Sequence, residues 1–324
     1  MAGRPGTSCP STRVRCSGHV PCLCCSHSSV CPGRHVSWPA FLAGGGRIAT
    51  LRILMVGDVM GKPGRQAVKQ LLPELRRRLG ISLVVANGEN AAGGHGLTLA
   101  TADELFDAGI HVITSGNHIW SQREFIPHLD ALPHVLRPAN YPDGTPGHGW
   151  VTVSVPDPEG AGTVPVTILN LCGRVHLLTL DCPFRAADRI LEQLAPEARR
   201  IVLVDFHAEV TSEKSAMGWY LDGRVTAVAG THTHVPTADT RLLPRGTAYV
   251  TDIGMVGPRD SIIGVMVRPV LEHFLSQRPA RFEVARAGPV TFNAVLIDVD
   301  TASGRALAVQ RVDDVVEVNH APGL

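Results

Sequence analysis

Eight polar side chains follow short apolar runs of this chain in a combination that could bind metal ions. They are carboxylates, amides and imidazoles: Asp58, Glu89, Asn90, Asn117, His118, His207, His232 and His234. Carboxylate and amide oxygens with imidazole nitrogens suit Mn, Fe, Zn or Mg, and a set without thiolate argues against an iron–sulfur cluster. The residue types therefore predict a metal site built from oxygen and nitrogen ligands.

Two features of this set favour a pair of cations. Glu89 has two carboxylate oxygens and could bridge two ions. His232 and His234 are two residues apart, so both rings point to the same side of an extended chain. Two cations about 3.5–4 Å apart can hold a hydroxide and clamp an in-line displacement at phosphorus. The pattern thus indicates metal-dependent phosphoryl chemistry.

Each residue alone has an ordinary structural explanation. Asp58 could be a helix cap, Asn90 a turn former and His118 a loop histidine. The glycine-rich residues 91–96 lack the Lys-Ser/Thr of a P-loop and the spacing of a dinucleotide fingerprint, and we interpret them as a rim from which His95 could contact substrate. The prediction rests on five apolar runs that all end in compatible ligands.

The elements that must position these side chains alternate between strand and helix. Near-continuous apolar runs predict strands at residues 51–56, 81–86, 111–114, 164–171, 201–204 and 225–229. Helix-period segments lie between them, and Thr101 with Glu104 forms a capping-box pattern at the second helix. This order favours an α/β fold whose strands are covered on both faces. Because ligands bind at the carboxyl ends of strands in such sheets, we expect the polar tips to converge.

The first 50 residues differ in composition from the rest of the chain. They hold five of the 30 Lys and Arg residues, none of the 29 acids and six of the eight cysteines. They lack the apolar stretch of a secretory signal. We interpret residues 1–50 as a disordered or non-native extension, with translation starting at Leu51, and residues 51–324 as one domain. A targeting segment, or a metal site at the cysteines of residues 22–25, is the alternative.

Composition excludes several classes of protein. A hydrophobic share of 44% over 324 residues is enough for a core and excludes wholesale disorder. No apolar run reaches the roughly 18–20 residues that span a bilayer, so no membrane association is expected. After residue 50 acids outnumber bases, which gives no support for a broad nucleic-acid surface. Only two cysteines lie there, which is typical of a reduced, cytoplasmic protein.

Several motifs resemble those of the YmdB-like phosphodiesterases, a branch of the calcineurin-like metallophosphoesterases. They include Gly-Asp-Val-Met-Gly at 57–61, Ala-Asn-Gly-Glu-Asn at 86–90, Thr-Ser-Gly-Asn-His at 114–118, Asp-Phe-His-Ala-Glu at 205–209 and Gly-Thr-His-Thr-His at 230–234. The resemblance covers about residues 51–315. It implies a metallophosphoesterase sandwich of two mixed β-sheets flanked by α-helices.

The resemblance also implies two divalent metal ions, with iron or manganese expected and magnesium or zinc as alternatives. One ion would be held by Asp58, Glu89 and His234. The other would be held by Glu89, Asn117, His207 and His232, so that Glu89 bridges the two.

The resemblance assigns roles to two further residues, and a third residue departs from the pattern of the wider superfamily. Asn90 would stand beside the first ion or contact phosphate, and His118 would be the general acid. Met60 stands where the wider superfamily has a histidine ligand. The first ion would therefore have fewer protein ligands. The acidic residue that often follows Asn-His is also missing, so another group must orient His118.

The activity implied is hydrolysis of 2′,3′-cyclic nucleotides by a metal-bridging hydroxide. His118, with a pKa near 6.5, would protonate the leaving O2′, so the product would be a 3′-nucleotide. The same metal chemistry leaves a phosphatase or a nuclease open. The non-enzymatic alternative is a nucleotide-sensing or RNA-metabolism regulator with a weakly active site.

The expected partners are a small-molecule nucleotide substrate, RNA ends and other copies of this chain in a homo-oligomer. Trp219, Tyr220 and the segment around Phe274 are apolar enough for an interface between copies. We predict instead that these side chains pack in the core.

Overall fold

The computed structural model describes residues 49–318 except residues 161 and 287. The predicted N-terminal extension and its cysteines lie outside the described residues, apart from Ala49 and Thr50. The described residues form strands β1 (Thr50–Val56), β2 (Asp58–Val59), β3 (Leu83–Asn87), β4 (Val112–Thr114), β5 (Trp150–Pro156), β6 (Thr163–Cys172), β7 (Val202–His207), β8 (Ala227–Thr231), β9 (Arg241–Leu242), β10 (Ala248–Val250), β11 (Met255–Pro258), β12 (Val290–Asp300) and β13 (Ala306–Val316).

The helices lie between these strands, and four of them pack against the outer faces of the sheets. They are α1 (Gly61–Leu79), α2 (Leu99–Asp107), α3 (Pro183–Gln193), α4 (Pro196–Arg200), α5 (Thr211–Leu221) and α6 (Val267–Ser276), with a 3₁₀ helix at Arg123–Ala131.

The strands form two mixed sheets. The first orders its strands β2-β11-β12-β1-β3-β4, with β13 beside β12, and the second orders them β5-β6-β7-β8-β10-β9. In the first sheet β1, β3 and β4 are parallel to one another, whereas β12 is antiparallel to β1. In the second, β6, β7, β8 and β10 are parallel. The predicted α/β sandwich of two mixed sheets is therefore confirmed.

The apolar runs are buried on both faces of each central strand. Ile53 of β1 belongs to the cluster between the sheets, together with Ile168 of the second sheet. Its neighbour Leu54 belongs to the cluster under the helices, together with Val68 of α1. A strand that is covered on both sides cannot alternate apolar with polar residues, which explains the near-continuous runs in the sequence.

The predicted capping box of the second helix is displaced by three residues. Helix α2 begins at Leu99, and its cap is Thr98, whose hydroxyl accepts a hydrogen bond from Thr101 N at 3.2 Å. The Thr101 hydroxyl accepts in turn from Thr98 N at 2.9 Å. Threonine supplies the same acceptor as the expected glutamate at the third helical position. Glu104 is free to pair with Arg65, 2.6 Å away.

The prediction that Trp219, Tyr220 and Phe274 pack in the core is wrong. Their exposed fractions are 54%, 37% and 65%. Two of them instead contact polar groups. The Trp219 ring lies 5.8 Å from the guanidinium of Arg241, and the Tyr220 hydroxyl donates to Asp188 at 2.6 Å. An aromatic ring that satisfies a cation or a carboxylate is stable at the surface.

Across the described residues, the helices are too short or too polar to cross a lipid bilayer.

Candidate metal centre

Five of the predicted strand tips meet at one edge of the sandwich. Asp58 begins β2, Glu89 follows β3 by two residues, and Asn117 follows β4 by three. His207 is the last residue of β7, and His232 directly follows β8. The first sheet therefore supplies the candidate oxygen ligands and the second sheet supplies the imidazoles. The site exists only where the two carboxyl edges face each other.

Three groups from different loops surround one nitrogen of His207. Its Nε2 lies 3.1 Å from Glu89 Oε1, 3.0 Å from Asn117 Oδ1 and 3.0 Å from His232 Nδ1. Glu89, His207 and His232 together offer three ligand atoms within 4.8 Å of one another. Residue 116 must be glycine, because a Cβ at that position would lie 2.1 Å from the His207 ring.

The outward nitrogen of each of the three histidines faces an acceptor. His207 Nδ1 lies 3.0 Å from the Thr231 hydroxyl, whose proton goes to the buried carboxylate of Asp205 at 2.6 Å. His232 Nε2 lies 3.1 Å from a carboxylate oxygen of Glu209.

His234 follows the same rule. Its Nδ1 lies 2.8 Å from Ile263 O, a carbonyl that can only accept. With their outward nitrogens protonated, all three rings direct a lone pair inwards. The lone pairs of His207 Nε2 and His232 Nδ1 are 3.0 Å apart and repel each other, so a cation, either a proton or a metal ion, is needed between them.

A second cluster lies around Asp58. This carboxylate is fully buried; its Oδ2 accepts from His232 N at 3.1 Å, whereas its Oδ1 has no hydrogen-bond partner within the described structure. His207 Nδ1 and His234 Nε2 each lie 3.9 Å from Oδ1. An orphaned buried carboxylate oxygen is unfavourable by about 1–3 kcal/mol or more. A metal ion between Asp58 and His234 fits this arrangement.

The predicted residue Asn90 connects the two clusters. Its Nδ2 lies 3.3 Å from Glu89 Oε1 and 3.1 Å from His234 Nε2. In this orientation the Asn90 amide group donates towards His234 Nε2, and rotation of the amide by 180° would turn its oxygen there instead.

Burial and pairing shift the pKa values of these groups strongly. Burial raises the pKa of Asp58 to about 7, although His234 and His207 oppose the rise. Burial would also raise the pKa of Glu89, but the charge and hydrogen bond of His207 lower it to about 2. The same pairing raises the pKa of His207 to about 9 against the effect of burial. Positive charge is therefore required next to Glu89.

The loop that carries His232 and His234 is strained, and buried hydrogen bonds behind it stabilise its conformation. Both histidines have positive φ, 98° and 64°, which is unusual for residues with a side chain. Thr233 between them donates to Asp252 Oδ2 through its backbone N at 3.2 Å and through its hydroxyl at 2.7 Å. Asp252 is in turn neutralised by the buried Lys214, 2.6 Å away. This pair fixes the strained loop in the conformation that the ligands need.

His118 and His95 lie at the mouth of the site. His118 N donates to Glu89 Oε2 at 3.2 Å, and its Nδ1 lies 3.5 Å from the hydroxyl of Ser121. The ring of the exposed His95 stands edge-on to the His118 ring, with centroids 4.7 Å apart. Burial lowers the pKa of His118 below 6.5, so the expected unperturbed value is wrong. Ser121 and His95 take the orienting place of the missing acidic residue.

The candidate ligands open into a cavity of about 290 Å³ that both polar and apolar side chains line. Glu89, His118 and His232 belong to the polar part of the lining, which we call the polar wall. The apolar part, which we call the apolar wall, consists of Met60, Ile263, Val265 and Phe282. Met60 packs with Val265 in a small buried cluster, so it is part of that wall. The cavity suits a molecule with an anionic group at one end and an apolar group at the other.

Sequence reasoning missed several residues that shape this site. Asp205 and Glu209 each lie two residues from His207, and this alternation on an extended chain was a usable signal. Asp252 carried a signal of its own, because it follows the apolar run Ala248–Val250 by two residues, whereas Lys214 and Phe282 carried none.

Comparison with known proteins agrees with the motifs. Residues 54–312 match the model of a family described as YmdB-like protein. A 2′,3′-cyclic-nucleotide 2′-phosphodiesterase of Bacillus subtilis is 45% identical over 262 residues, which cover 81% of this chain and 96% of that protein.

Two solved structures agree with the fold. A hypothetical protein from Thermus thermophilus is 43% identical with a TM-score of 0.75, covering 82% of this chain and 99% of its own. A structure described as a novel phosphatase from Mycoplasma pneumoniae is 31% identical with a TM-score of 0.76, covering 83% and 95%. The family match spans all the candidate site residues.

The support for the strained loop can be tested with Thr233→Val. This change removes the hydroxyl that donates to Asp252 and leaves the Asp252–Lys214 pair intact. We expect the free energy of unfolding to fall by about 1.5–3 kcal/mol and the affinity for Mn²⁺ to weaken by about tenfold. Chemical denaturation and calorimetric titration measure the two effects.

Thr240→Val is the matched control, because the buried Thr240 hydroxyl makes no hydrogen bond within the described residues. It should leave metal affinity unchanged. Equal metal affinity in Thr233→Val and the unmodified protein would contradict a role for this contact in holding the ligands.

Proposed function

Because the chain belongs to the YmdB-like family, we propose that this metallophosphoesterase hydrolyses 2′,3′-cyclic nucleotides to 3′-nucleotides. The observation that carries the proposal is the convergence of three histidines, His207, His232 and His234, on two buried carboxylates beside His118. The activity in the name of the Bacillus subtilis relative supports the choice of substrate.

We assign two metal positions to the two clusters. Asp58, Glu89 and His234 would hold one ion, and Glu89, Asn117, His207 and His232 would hold the other. Asn90 would lie beside the first. Two divalent cations, iron or manganese with magnesium or zinc as alternatives, would supply Lewis acidity by acidifying a water molecule and offsetting phosphate charge.

His118 is the candidate for the proton that the leaving O2′ requires. It lines the cavity beside Glu89, and its backbone amide is tied to that carboxylate at 3.2 Å. Its ring is held by Ser121 and His95. Burial, which lowers its pKa, makes the protonated ring a stronger acid. General acid–base help of this kind is worth about 10²–10⁴-fold in rate.

The apolar wall favours a nucleotide over a bare phosphate ester. Phe282 is 41% exposed, so its ring is available to a ligand. A backbone hydrogen bond from Met266 N to Glu283 O at 2.9 Å fixes the segment that carries it. A base stacked on this ring would leave the cyclic phosphate at the polar wall, next to His118.

Metal-dependent product formation tests the proposal directly. The full chain is incubated with 2′,3′-cyclic AMP after Mn²⁺ loading and after chelation, and the products are separated by chromatography. We expect 3′-AMP from the loaded protein only, because the leaving group is O2′. A folded, metal-loaded protein that releases no adenosine monophosphate would overturn the proposal. Release of 2′-AMP would overturn the assigned leaving group.

The variant His118→Ala distinguishes the role of general acid from the role of metal ligand. We expect kcat to fall by about 10²–10⁴-fold with metal content unchanged, since the change removes the proton donor and no ligand. Glu89→Gln should lose metal as well as activity. Metal content is measured by plasma mass spectrometry on the same samples. His128→Ala, at an exposed histidine on the 3₁₀ helix, is the matched control and should behave as the unmodified protein.

If His118→Ala loses its metal, the histidine is a ligand or a structural support and the assigned role is incorrect.

Phe282→Ala tests recognition of the base. Stacking of a base on an aromatic ring is worth about 1–3 kcal/mol, so kcat/KM for 2′,3′-cyclic AMP should fall by about 5–150-fold. Glycerol 1,2-cyclic phosphate carries the same cyclic diester without a base, and its kcat/KM should fall far less. Phe274→Ala removes another exposed phenylalanine, which does not line the cavity, and should spare both substrates.

Equal losses for both substrates in Phe282→Ala would show that the ring supports the fold of the cavity and does not bind the base.

A further inference from the structure

A second concave site lies at the opposite end of the second sheet from the metal centre. It is a cavity of about 380 Å³ between the end of α4, the turns before β8 and β10, and the β12–β13 hairpin. Five arginines line it: Arg199, Arg200, Arg224, Arg245 and Arg305. We call it the arginine pocket.

The arginine pocket is separate from the metal centre. Arg200 precedes the first residue of β7 by two positions, whereas His207 is the last residue of that strand. Six residues of extended strand span about 20 Å. A small ligand in the pocket therefore cannot contact the metal ligands, and the pocket is not an extension of the catalytic cavity.

Positive charge in the pocket is poorly compensated. Arg224 pairs with Asp188 at 2.7 Å. Among the described residues, Arg199 and Arg200 contact backbone carbonyls alone, at 3.5 and 3.4 Å. Glu192 is the one carboxylate among the lining residues.

The other two arginines of the pocket have fewer side-chain contacts than these three. The side chains of Arg245 and Arg305 make no hydrogen bond or ion pair with any residue that the structure describes. Guanidinium groups that share one cavity repel one another, and a bound anion relieves that repulsion.

Glycines in the turns bring these arginines together. A Cβ at Gly223 would lie 2.7 Å from the Cβ of Arg245, so only glycine lets that side chain cross the turn. Gly246 similarly underlies the stem of Arg305, at 3.4 Å. A Cβ at Gly304 would lie 1.8 Å from Arg200 O, so the hairpin can approach α4 only with glycine there. The convergence is therefore fixed by the backbone.

We propose that the arginine pocket binds a compact polyanion that carries two or three linked phosphates, such as the phosphate chain of a nucleoside di- or triphosphate. A guanidinium group matches phosphate geometry and binds two oxygens at once. All five arginines line a single cavity of about 380 Å³, which favours a compact ligand over an extended nucleic-acid backbone. The pocket would bind this ligand independently of the metal centre.

Calorimetric titration of the full chain with inorganic triphosphate, pyrophosphate and orthophosphate tests the proposal. We expect one bound triphosphate per chain, with affinity that falls from triphosphate to orthophosphate and weakens as salt is raised. The double variant Arg245→Gln/Arg305→Gln should bind triphosphate about tenfold or more weakly, because two charge-assisted contacts are lost.

Two controls make the assignment specific. Arg259→Gln/Arg268→Gln removes two exposed arginines that are paired with Asp260 and Glu272 elsewhere, and triphosphate binding should be unchanged. His232→Asn alters the metal centre and should also leave binding unchanged. Because the four arginines are at the surface, circular dichroism should show the same folded state in all variants.

Three outcomes would overturn the proposal. The first is no binding of triphosphate at millimolar concentration and low salt. The second is binding that survives Arg245→Gln/Arg305→Gln but is lost in His232→Asn, which would place the anion at the metal centre. The third is a single-stranded oligonucleotide that binds through these arginines more tightly than triphosphate does.

Discussion

The structure depends on two carboxylates, Asp58 and Glu89, that are buried at the edge of the sandwich and must be neutralised there. Burying a carboxylate without a positive partner is strongly unfavourable. In the protein alone His207 supplies the charge next to Glu89, while one oxygen of Asp58 is left without a hydrogen-bond partner among the described residues. Such a cluster favours divalent cations, and the surrounding architecture keeps the cluster from relaxing.

The buried carboxylates behind the candidate ligands are also neutralised or hydrogen-bonded. Asp205 accepts a hydrogen bond from the Thr231 hydroxyl, which in turn faces His207 Nδ1 and fixes that ring. Asp252, neutralised by Lys214, fixes Thr233 and with it the strained loop. Each buried carboxylate behind the site has its own donors, so the lone pairs of the histidines are directed inwards with little freedom to turn away. The two sheets are needed because neither edge alone carries both the oxygen and the nitrogen ligands.

Much of the fold could be predicted because both faces of the central strands are covered. This makes the strands continuous apolar runs, and each run ends where the chain reaches the polar edge. Predictions failed where the local pattern permits several solutions. Thr98 caps α2 in place of Thr101 because either threonine offers the same oxygen. Trp219 lies at the surface because its ring can face Arg241, and an apolar residue type does not reveal such a partner.

The sequence by itself determined the types of the candidate ligands, their positions at strand ends and the family of the chain, since these depend on residue identity and short spacing. Tertiary structure alone decided what depends on long-range contact. Lys214 pairs with Asp252, which is 38 residues away in the sequence. Phe282 lines the same cavity as Met60, although the two are far apart along the chain. The arginine pocket joins turns about a hundred residues apart. Hydrophobic periodicity predicts which face of a single helix or strand is buried. Which of these faces pack against each other depends on the tertiary structure.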